Sequence, residues 1–495
     1  MRETDPLPRP NLLFIMTDQQ RFDTVGAYGN ERIRTPNLDR LASQSTLFEH
    51  SYCTQPVCSP ARSSLMTGTW PHTNGVTQLV EPLRPDIPTV GELICEGDFQ
   101  KAYFGRWGVQ EQQPSSHGFD VWEQFDLPPA EWLRAGGLEP LNGKNFAKPD
   151  LPGFPEHLTG ASYLADRVCD FLREPRDRPF AAFASIYRPH PPYGGPFDDL
   201  YDRDEVILPD NFDAFPSADQ HPRPLLEALY LRHEHHENDD TQTEAGWRDV
   251  IARYWGLCTL VDRHIGRILD ALDACGQADN TTVVFLSDHG DMMGSHRLLG
   301  KNVLFEESVK VPLMIRMPGQ TEARRVNTRV SQIDLLPTWL DLLGQPIPDH
   351  LQGRSIRPLL LDSPPSHEPD DVFIEWQGLN HIVSQALDIR RGGVEHLDPE
   401  DLQRDTIPDY LAERFTRDEA IAALSDTNRT VITQAGWKFN WSGLGLHELY
   451  NLSEDPGETN NLAGDPEQRE RLRDLTHRIR AWQQRTEDSV SVTDS

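Results

Sequence analysis

Four short apolar runs stand out along the chain: Asn11–Thr17 (NLLFIMT), Lys101–Phe104, Pro179–Ser185 (PFAAFAS) and Thr281–Ser287 (TTVVFLS). Each is continuous rather than alternating and is flanked by polar or turn residues. That is the pattern of strands covered on both faces, as in a parallel sheet. Between them the apolar spacing changes to three or four. Thr35-Pro36-Asn37 supplies an N-cap and a first-turn proline before LDRLASQSTLF, which predicts a helix over that segment. Ser162–Leu172 and the long Asp249–Cys275 repeat apolar residues at helical spacing, and the Trp and Leu positions of the latter read as core packing. Strands alternating with helices predict an α/β fold, a large mostly parallel sheet flanked by helices.

Two stretches break the alternation. Residues 186–243, rich in Pro, Asp and His, predict an insertion over one end of the sheet, and residues 361–425 read as irregular and acidic. A strand-like Arg429–Trp441 follows, then HELYNLSEDPGETNNL, then an amphipathic helix over 466–484. The expected organisation is a main domain over 1–370 and a smaller C-terminal α+β subdomain over 371–495. No internal repeat at solenoid periods is visible.

Composition narrows the function. The 495 residues carry 47 Lys+Arg against 78 Asp+Glu, a formal charge of −31. With 11 Trp and 20 Phe the chain can bury a sizeable core and is not disordered throughout. Duplex binding draws its affinity from Lys and Arg on phosphates. No basic stripe is present, so nucleic acid is not the expected partner. An anionic substrate would need a local cluster of cations against this global charge. The longest apolar stretches, such as Leu12–Met16 and Thr282–Leu286, are far short of the roughly 20 residues of a membrane helix. The opening Met1-Arg-Glu-Thr-Asp-Pro does not read as a secretory signal. Six cysteines (53, 58, 95, 169, 258 and 275) form no CxxC pair. A reduced, cytoplasmic protein without a membrane partner is expected.

The chemistry-bearing segment is Cys58-Ser59-Pro60-Ala61-Arg62. Its Cys-to-Arg spacing is too short for a tyrosine-phosphatase loop. Asp18-Gln19 follows directly on the first predicted strand, and Asp288-His289-Gly290-Asp291 on another. Ligands of open α/β sheets sit at the carboxyl ends of strands, so these distant pairs can converge on one site. Carboxylate and amide oxygens with an imidazole make a divalent-cation shell. His233-Glu-His-His-Glu237 is not HExxH, because position 237 is Glu; beside Asp239-Asp240 it reads as a solvated insertion.

NLLFIMTDQQR, TPNLDRLASQS, CSPAR with SSLMTG after it, SDHGD, GK followed by EESVKVPLMIR, and ELYNLSEDPGETNNL together resemble the type I, formylglycine-dependent sulfatases of the alkaline phosphatase superfamily. That group includes phosphonate monoester hydrolase-like members. The resemblance runs from Asn11 to Leu462, with diverging insertions. It implies that a formylglycine-generating enzyme oxidises Cys58 to formylglycine. The hydrated aldehyde would then attack the sulfur or phosphorus of a small anionic ester at a divalent metal. It implies Asp18, Gln19, Asp288, His289 and the modified Cys58 as metal ligands, with Ca2+ expected and Mn2+ or Mg2+ as alternatives. Arg62 matches the residue that holds the formylglycine hydroxyl, and Lys301 the one on the leaving-group side of the anion. His190, in SIYRPHPPY, matches a sulfate contact and proton donor. Asn74, in HTNGV, matches a residue that hydrogen-bonds the anion. The pairs Asp-Gln and Asp-His resemble those of choline sulfatases and phosphonate monoester hydrolases.

The chain departs from the family's G-K-W-H, with Gly105-Arg106-Trp107-Gly108 in its place. Arg106 keeps the positive charge and offers a bidentate fork to a tetrahedral anion. Gly108 removes a proton acceptor, and losing one positioned group commonly costs about 10²–10³ in rate. Phosphonate monoester hydrolases lack that His too. Three functions follow: a sulfatase acting on a sulfate monoester, a phosphonate monoester or phosphodiester hydrolase on the same scaffold, or a catalytically inactive anion-binding homologue. The pocket for the alcohol part is expected from 109–160, 186–243 and 375–425.

Overall fold

The computed structural model describes residues 9–493 except 80, 110–113, 126–128, 138–153, 234–238, 362–369 and 379–407. Among the described residues nine strands form one sheet: β1 (Asn11–Asp18), β2 (Thr46–Tyr52), β3 (Gln100–Gly105), β4 (Val121–Gln124), β5 (Phe180–Pro189), β6 (Thr281–Ser287), β7 (Lys310–Arg316), β8 (Arg324–Val326) and β9 (Val330–Ser331). The order is β4-β3-β5-β1-β6-β7-β2-β8, with β9 also beside β2. Pairing is parallel except at β6–β7 and β7–β2.

The central strand shows why its sequence is apolar without a break. Leu12, Phe14 and Met16 of β1 join one core, while Leu13 and Ile15 join the other. The first core is covered by Leu65 and Met66 of helix Cys58–Thr67 and by Trp339 and Leu340 of helix Leu335–Leu342. The second is covered by helices Gly160–Arg173 and Glu244–Ala274, through Leu164, Val168, Ile265 and Ile268. Both faces are dry, so neither set of alternating positions can be polar. The α/β architecture expected from the sequence is the observed one.

Residues 186–243 contribute the end of β5 and helix Pro222–His233. They pack on helix Glu244–Ala274, and on Met292, Leu298 and Phe305 beyond the carboxyl end of β6. The His-rich segment lies mostly outside the described residues; His233 itself stacks on Tyr410. A second sheet is antiparallel, in the order β10 (Val372–Trp376), β11 (Asn428–Ile432), β12 (Trp437–Ser442), β13 (Glu448–Asn451). Leu472, Leu475, Ile479 and Trp482 of helix Arg469–Thr486 cover it, and Trp70 and Ile333 of the main body join the same cluster. No helix among the described residues is long and apolar enough to cross a membrane.

Four local readings change. The helix expected over LDRLASQSTLF stops at Ala42, and Thr46 starts β2, which pairs with β7 and β8. Thr35 does not cap that helix with its side chain. Its hydroxyl accepts the Gly26 N–H at 2.8 Å, and Asp262 of the long helix accepts the Asn37 and Leu38 N–H groups at 3.0 and 2.7 Å. Arg429–Trp441 is a hairpin of β11 and β12 turned at Gly436, where φ is +85°. The stretch read as irregular contains β10 and helix Arg417–Ser425; residues 362–369 and 379–407 of it lie outside the described residues.

Candidate active site

β1, β3, β5 and β6 run parallel, so their carboxyl ends meet at one edge of the sheet. β1 ends on Asp18, where its register with β5 shifts between Thr17 and Asp18. Gln19 follows with φ 66°, a left-handed conformation uncommon outside glycine. The two strand ends are laced together around it. Gln19 N–H donates to Asp288 Oδ1 at 2.9 Å, and Gln20 N–H to Ser287 Oγ at 2.8 Å. Backbone strain of this kind persists only where the surroundings over-determine it.

Cys58 is the first residue of helix Cys58–Thr67, after an extended Val57. Its sulfur therefore sits at the positive end of the helix dipole, where anions are favoured. The ligating atoms of Asp18, Cys58, Asp288 and His289 lie within 4.8 Å of one another, all buried. Cys58 Sγ is 3.2 Å from His289 Nε2 and 3.5 Å from Asp18 Oδ1. His289 Nδ1 is 3.0 Å from the Gly290 carbonyl oxygen. A carbonyl only accepts, so Nδ1 carries the proton and Nε2 presents a lone pair to the cluster. Burial lowers the His289 pKa against the pull of Asp288, and keeps the ring neutral.

Arg62 is one helical turn beyond Cys58, on the same face. Its fully buried guanidinium bridges both acids, with Nη2 2.9 Å from Asp18 Oδ2 and Nε 2.8 Å from Asp288 Oδ2. Nη1 donates to Ser185 Oγ at 2.8 Å and to the Arg106 carbonyl at 2.9 Å. Arg106 Nε lies 3.2 Å from Asp18 Oδ2. Burial works to raise the Asp18 carboxyl. Arg106 and Arg62, with Lys301 behind them, outweigh it and hold Asp18 well below the usual carboxylate range.

Lys301 Nζ donates to Gln19 Oε1 at 2.6 Å and to Cys58 Sγ at 3.0 Å. His190 donates from Nδ1 to the Pro191 carbonyl at 2.7 Å, and its ring hydrogen-bonds Cys58. Burial and Lys301 keep it neutral. Tyr187 packs against both this ring, at 4.7 Å between centroids, and the Arg106 guanidinium, 4.8 Å away. Asn74 points elsewhere. Its amide donates to the Thr69 carbonyl at 3.1 Å and accepts Val76 N–H at 2.9 Å, bracing the turn after the helix. The other sequence-predicted residues converge around Cys58.

The sequence reading passed over Ser185, Tyr187, Tyr193 and Asp291. Ser185 carried a faint signal as the last residue of a predicted strand, and Asp291 as the end of the Asp288-His289-Gly290-Asp291 motif. The tyrosines carried none. Gly108 also takes on a different meaning. Its φ is +69°, and a Cβ there would lie 2.7 Å from Arg62 Cδ. The segment 106–108 runs hard against the bridging arginine, so no room is left for the histidine that the family pattern has there.

Two carboxylates, a neutral imidazole nitrogen and residue 58 cluster within 4.8 Å, and the Gln19 amide oxygen accepts from Lys301 Nζ, which also contacts Cys58; these donor types fit a divalent cation such as Ca2+, Mn2+ or Mg2+. The Sulfatase family profile matches residues 10–345. The chain belongs to the sulfatase family. It is 32% identical to an uncharacterized sulfatase, YidJ, of Escherichia coli K12, over 75% of this chain and 73% of that protein. It is 28% identical to PehA of Trinickia caryophylli, a multifunctional alkaline phosphatase superfamily protein, over 96% and 95%. The phosphonate monoester hydrolase of Agrobacterium radiobacter superposes with a TM-score of 0.74 at 25% identity, over 97% of this chain and 96% of the other. This chain is thus a sulfatase-family hydrolase, with a phosphonate monoester hydrolase among its structural neighbours. The family implies a divalent metal and a formylglycine.

Proposed function

We propose that this sulfatase cleaves a sulfate monoester with residue 58 as nucleophile, the Cys58 thiol having been oxidised to the formylglycine aldehyde by a formylglycine-generating enzyme. The observation that carries the reading is the position of the Cys58 sulfur at a helix start, 3.2 Å from His289 Nε2 and 3.5 Å from Asp18 Oδ1. Asp18, Gln19, Asp288 and His289 would hold a divalent cation beside it. Oxygen donors predominate, which favours Ca2+ over Mn2+ or Mg2+. Such a cation, when bound, lowers the pKa of a ligated hydroxyl and neutralises the charge of the anion.

The chain's own groups supply the rest. Arg62 bridges the carboxylates of Asp18 and Asp288 one helical turn from residue 58 and holds Asp18 ionised. Lys301 and His190 flank residue 58; the Lys301 ammonium would stabilise the departing ester oxygen, and the neutral His190 ring could give it a proton only after first taking one up. Arg106 would grip the anion's oxygens with a planar fork. These cations give an anionic ester a positive site on a chain of net charge −31.

A second reading, a phosphonate monoester or phosphodiester hydrolase on the same scaffold, is supported by the crowding at Gly108, which leaves no family histidine there. Mass spectrometry of the peptide containing residue 58, from cells with the converting enzyme, tests the nucleophile. The expected result is an aldehyde in place of the thiol, and loss of turnover in a folded Cys58→Ala variant. A thiol in active, metal-loaded enzyme would refute it and, in inactive enzyme, would favour an inactive anion-binding homologue. Turnover of an aryl sulfate against phenyl phosphonate separates the two substrates; a large phosphonate preference overturns the sulfatase reading.

A further inference from the structure

Asp291 is fully buried, and among the described residues it has no ion-pair partner. Its carboxylate instead accepts four hydrogen bonds. Oδ1 takes the N–H groups of Met293 at 2.8 Å and Gly300 at 3.0 Å. Oδ2 takes the Tyr193 hydroxyl at 2.6 Å and Gln19 Nε2 at 2.6 Å. The phenol oxygen of Tyr193 also accepts from Gln19 Nε2, at 3.3 Å. At the other end of the same amide, Lys301 Nζ donates to Gln19 Oε1 at 2.6 Å.

This pattern settles a choice that a glutamine side chain leaves open. A carboxylate only accepts and an ammonium only donates. Turning the amide over would set its carbonyl against Asp291 and its NH2 against Lys301, two repulsions in place of two bonds. Asp291 is not among the clustered ligating groups Asp18, Cys58, Asp288 and His289. It stands behind Gln19 and ties down Gly300, the residue next to Lys301.

We propose that Asp291, backed by Tyr193, is a positioning residue that selects the Gln19 amide orientation with Oε1 turned into the cation-binding cluster, and that it anchors the loop carrying Lys301 in the same act. The inference rests on the proposed cation site, through Gln19. Groups that orient a metal ligand typically matter by about 10- to 100-fold in metal affinity.

The test is a double-mutant cycle read by calorimetric titration of Ca2+, and separately Mn2+, into the full chain. In the native background Asp291→Asn should weaken cation affinity by about 10- to 100-fold, because the Met293 and Gly300 N–H groups hold the asparagine oxygen and leave its NH2 facing Gln19, which favours the turned-over amide. In a Gln19→Glu background the sign should reverse. Asp291 then faces a second carboxylate, and Asp291→Asn removes that repulsion and tightens binding. A purely structural role for Asp291 would give the same loss in both backgrounds. That outcome, or unchanged affinity in Asp291→Asn alone, overturns the proposal. Native chain that binds neither ion overturns the cation site and this inference with it, which separates the two failures. If Asp291→Asn does not fold, the smaller, uncharged Asp291→Ser runs through the same cycle.

Discussion

Gly108→Ala adds one methyl group at a crowded point directly against Arg62. The backbone there has φ +69°, which costs an L-residue about 1–2 kcal/mol. The new Cβ would lie 2.7 Å from Arg62 Cδ, so about 0.7 Å must open to reach ordinary contact. Arg62 cannot yield that distance freely. It is fully buried, and its hydrogen bonds to Asp18, Asp288 and Ser185 span 2.8 to 2.9 Å. Each charge-assisted bond is worth about 1.5–3 kcal/mol. Residues 106–108 are therefore expected to move instead, with an overpacking cost of about 1–3 kcal/mol. The sum, about 2–5 kcal/mol, is a large part of a typical stability of roughly 5–15 kcal/mol. The shift would carry the Arg106 guanidinium away from Asp18 Oδ2, now 3.2 Å from its Nε. Loss of one aligned cation should cost about 10²-fold in kcat/KM. Guanidinium chloride unfolding and steady-state turnover of an aryl sulfate would measure the two effects. Gly108→His should be worse on both counts and should restore nothing. A Gly108→Ala variant as stable and as fast as the native chain, or a faster Gly108→His, would refute the steric argument.

Arg62→Met leaves Asp18 and Asp288 buried without their shared partner. It should cost about 3–5 kcal/mol in denaturant unfolding, and an unchanged midpoint would contradict the bridging role. His72 tests the contact between the main body and the second sheet. Its Nδ1 lies 2.6 Å from Glu375 Oε1, and its Nε2 donates to the Thr486 carbonyl at 2.9 Å. Burial works to lower its pKa, but Glu375 and the Thr486 carbonyl outweigh it and raise the pKa above the ordinary value. The stabilisation is thus complete below the unfolded pKa of about 6.5 and fades as pH rises through the higher folded value. His72→Gln should therefore lower the melting temperature more in mildly acidic buffer than in alkaline buffer, and a pH-independent difference would count against it.

The main strands were legible because of a physical necessity. A strand dry on both faces is apolar through its middle, with buried polar residues confined to its ends, and Asn11–Thr17, Pro179–Ser185 and Thr281–Ser287 are the strands found within one or a few residues of those limits. Segment 38–48 was misread because leucines and a phenylalanine at three-to-four spacing suit a helix as well as a helix followed by a strand. Pairing of Thr46–Phe48 with β7 and β8 decides between them. Thr35 does hold the cap position with Pro36 in the first turn, but the capping bonds come from elsewhere. A threonine before a proline is a local signal, whereas Asp262, which makes the bonds, lies 225 residues away from Asn37. Cys58, Asp18 and Asp288 could be found because each has a local mark, a motif or a strand end.

The linear order of side chains determined the layered α/β plan and which segments carry reactive groups, since both follow from spacing within a few residues. Only the packed structure decided how those groups address one another. That Arg62 joins two acids, that Asp291 turns the Gln19 amide and that Gly108 has no room for a side chain are contacts between separate strands and loops. Gln19 and Asp291 lie 272 positions apart, a separation at which burial and shape, rather than local pattern, set the geometry.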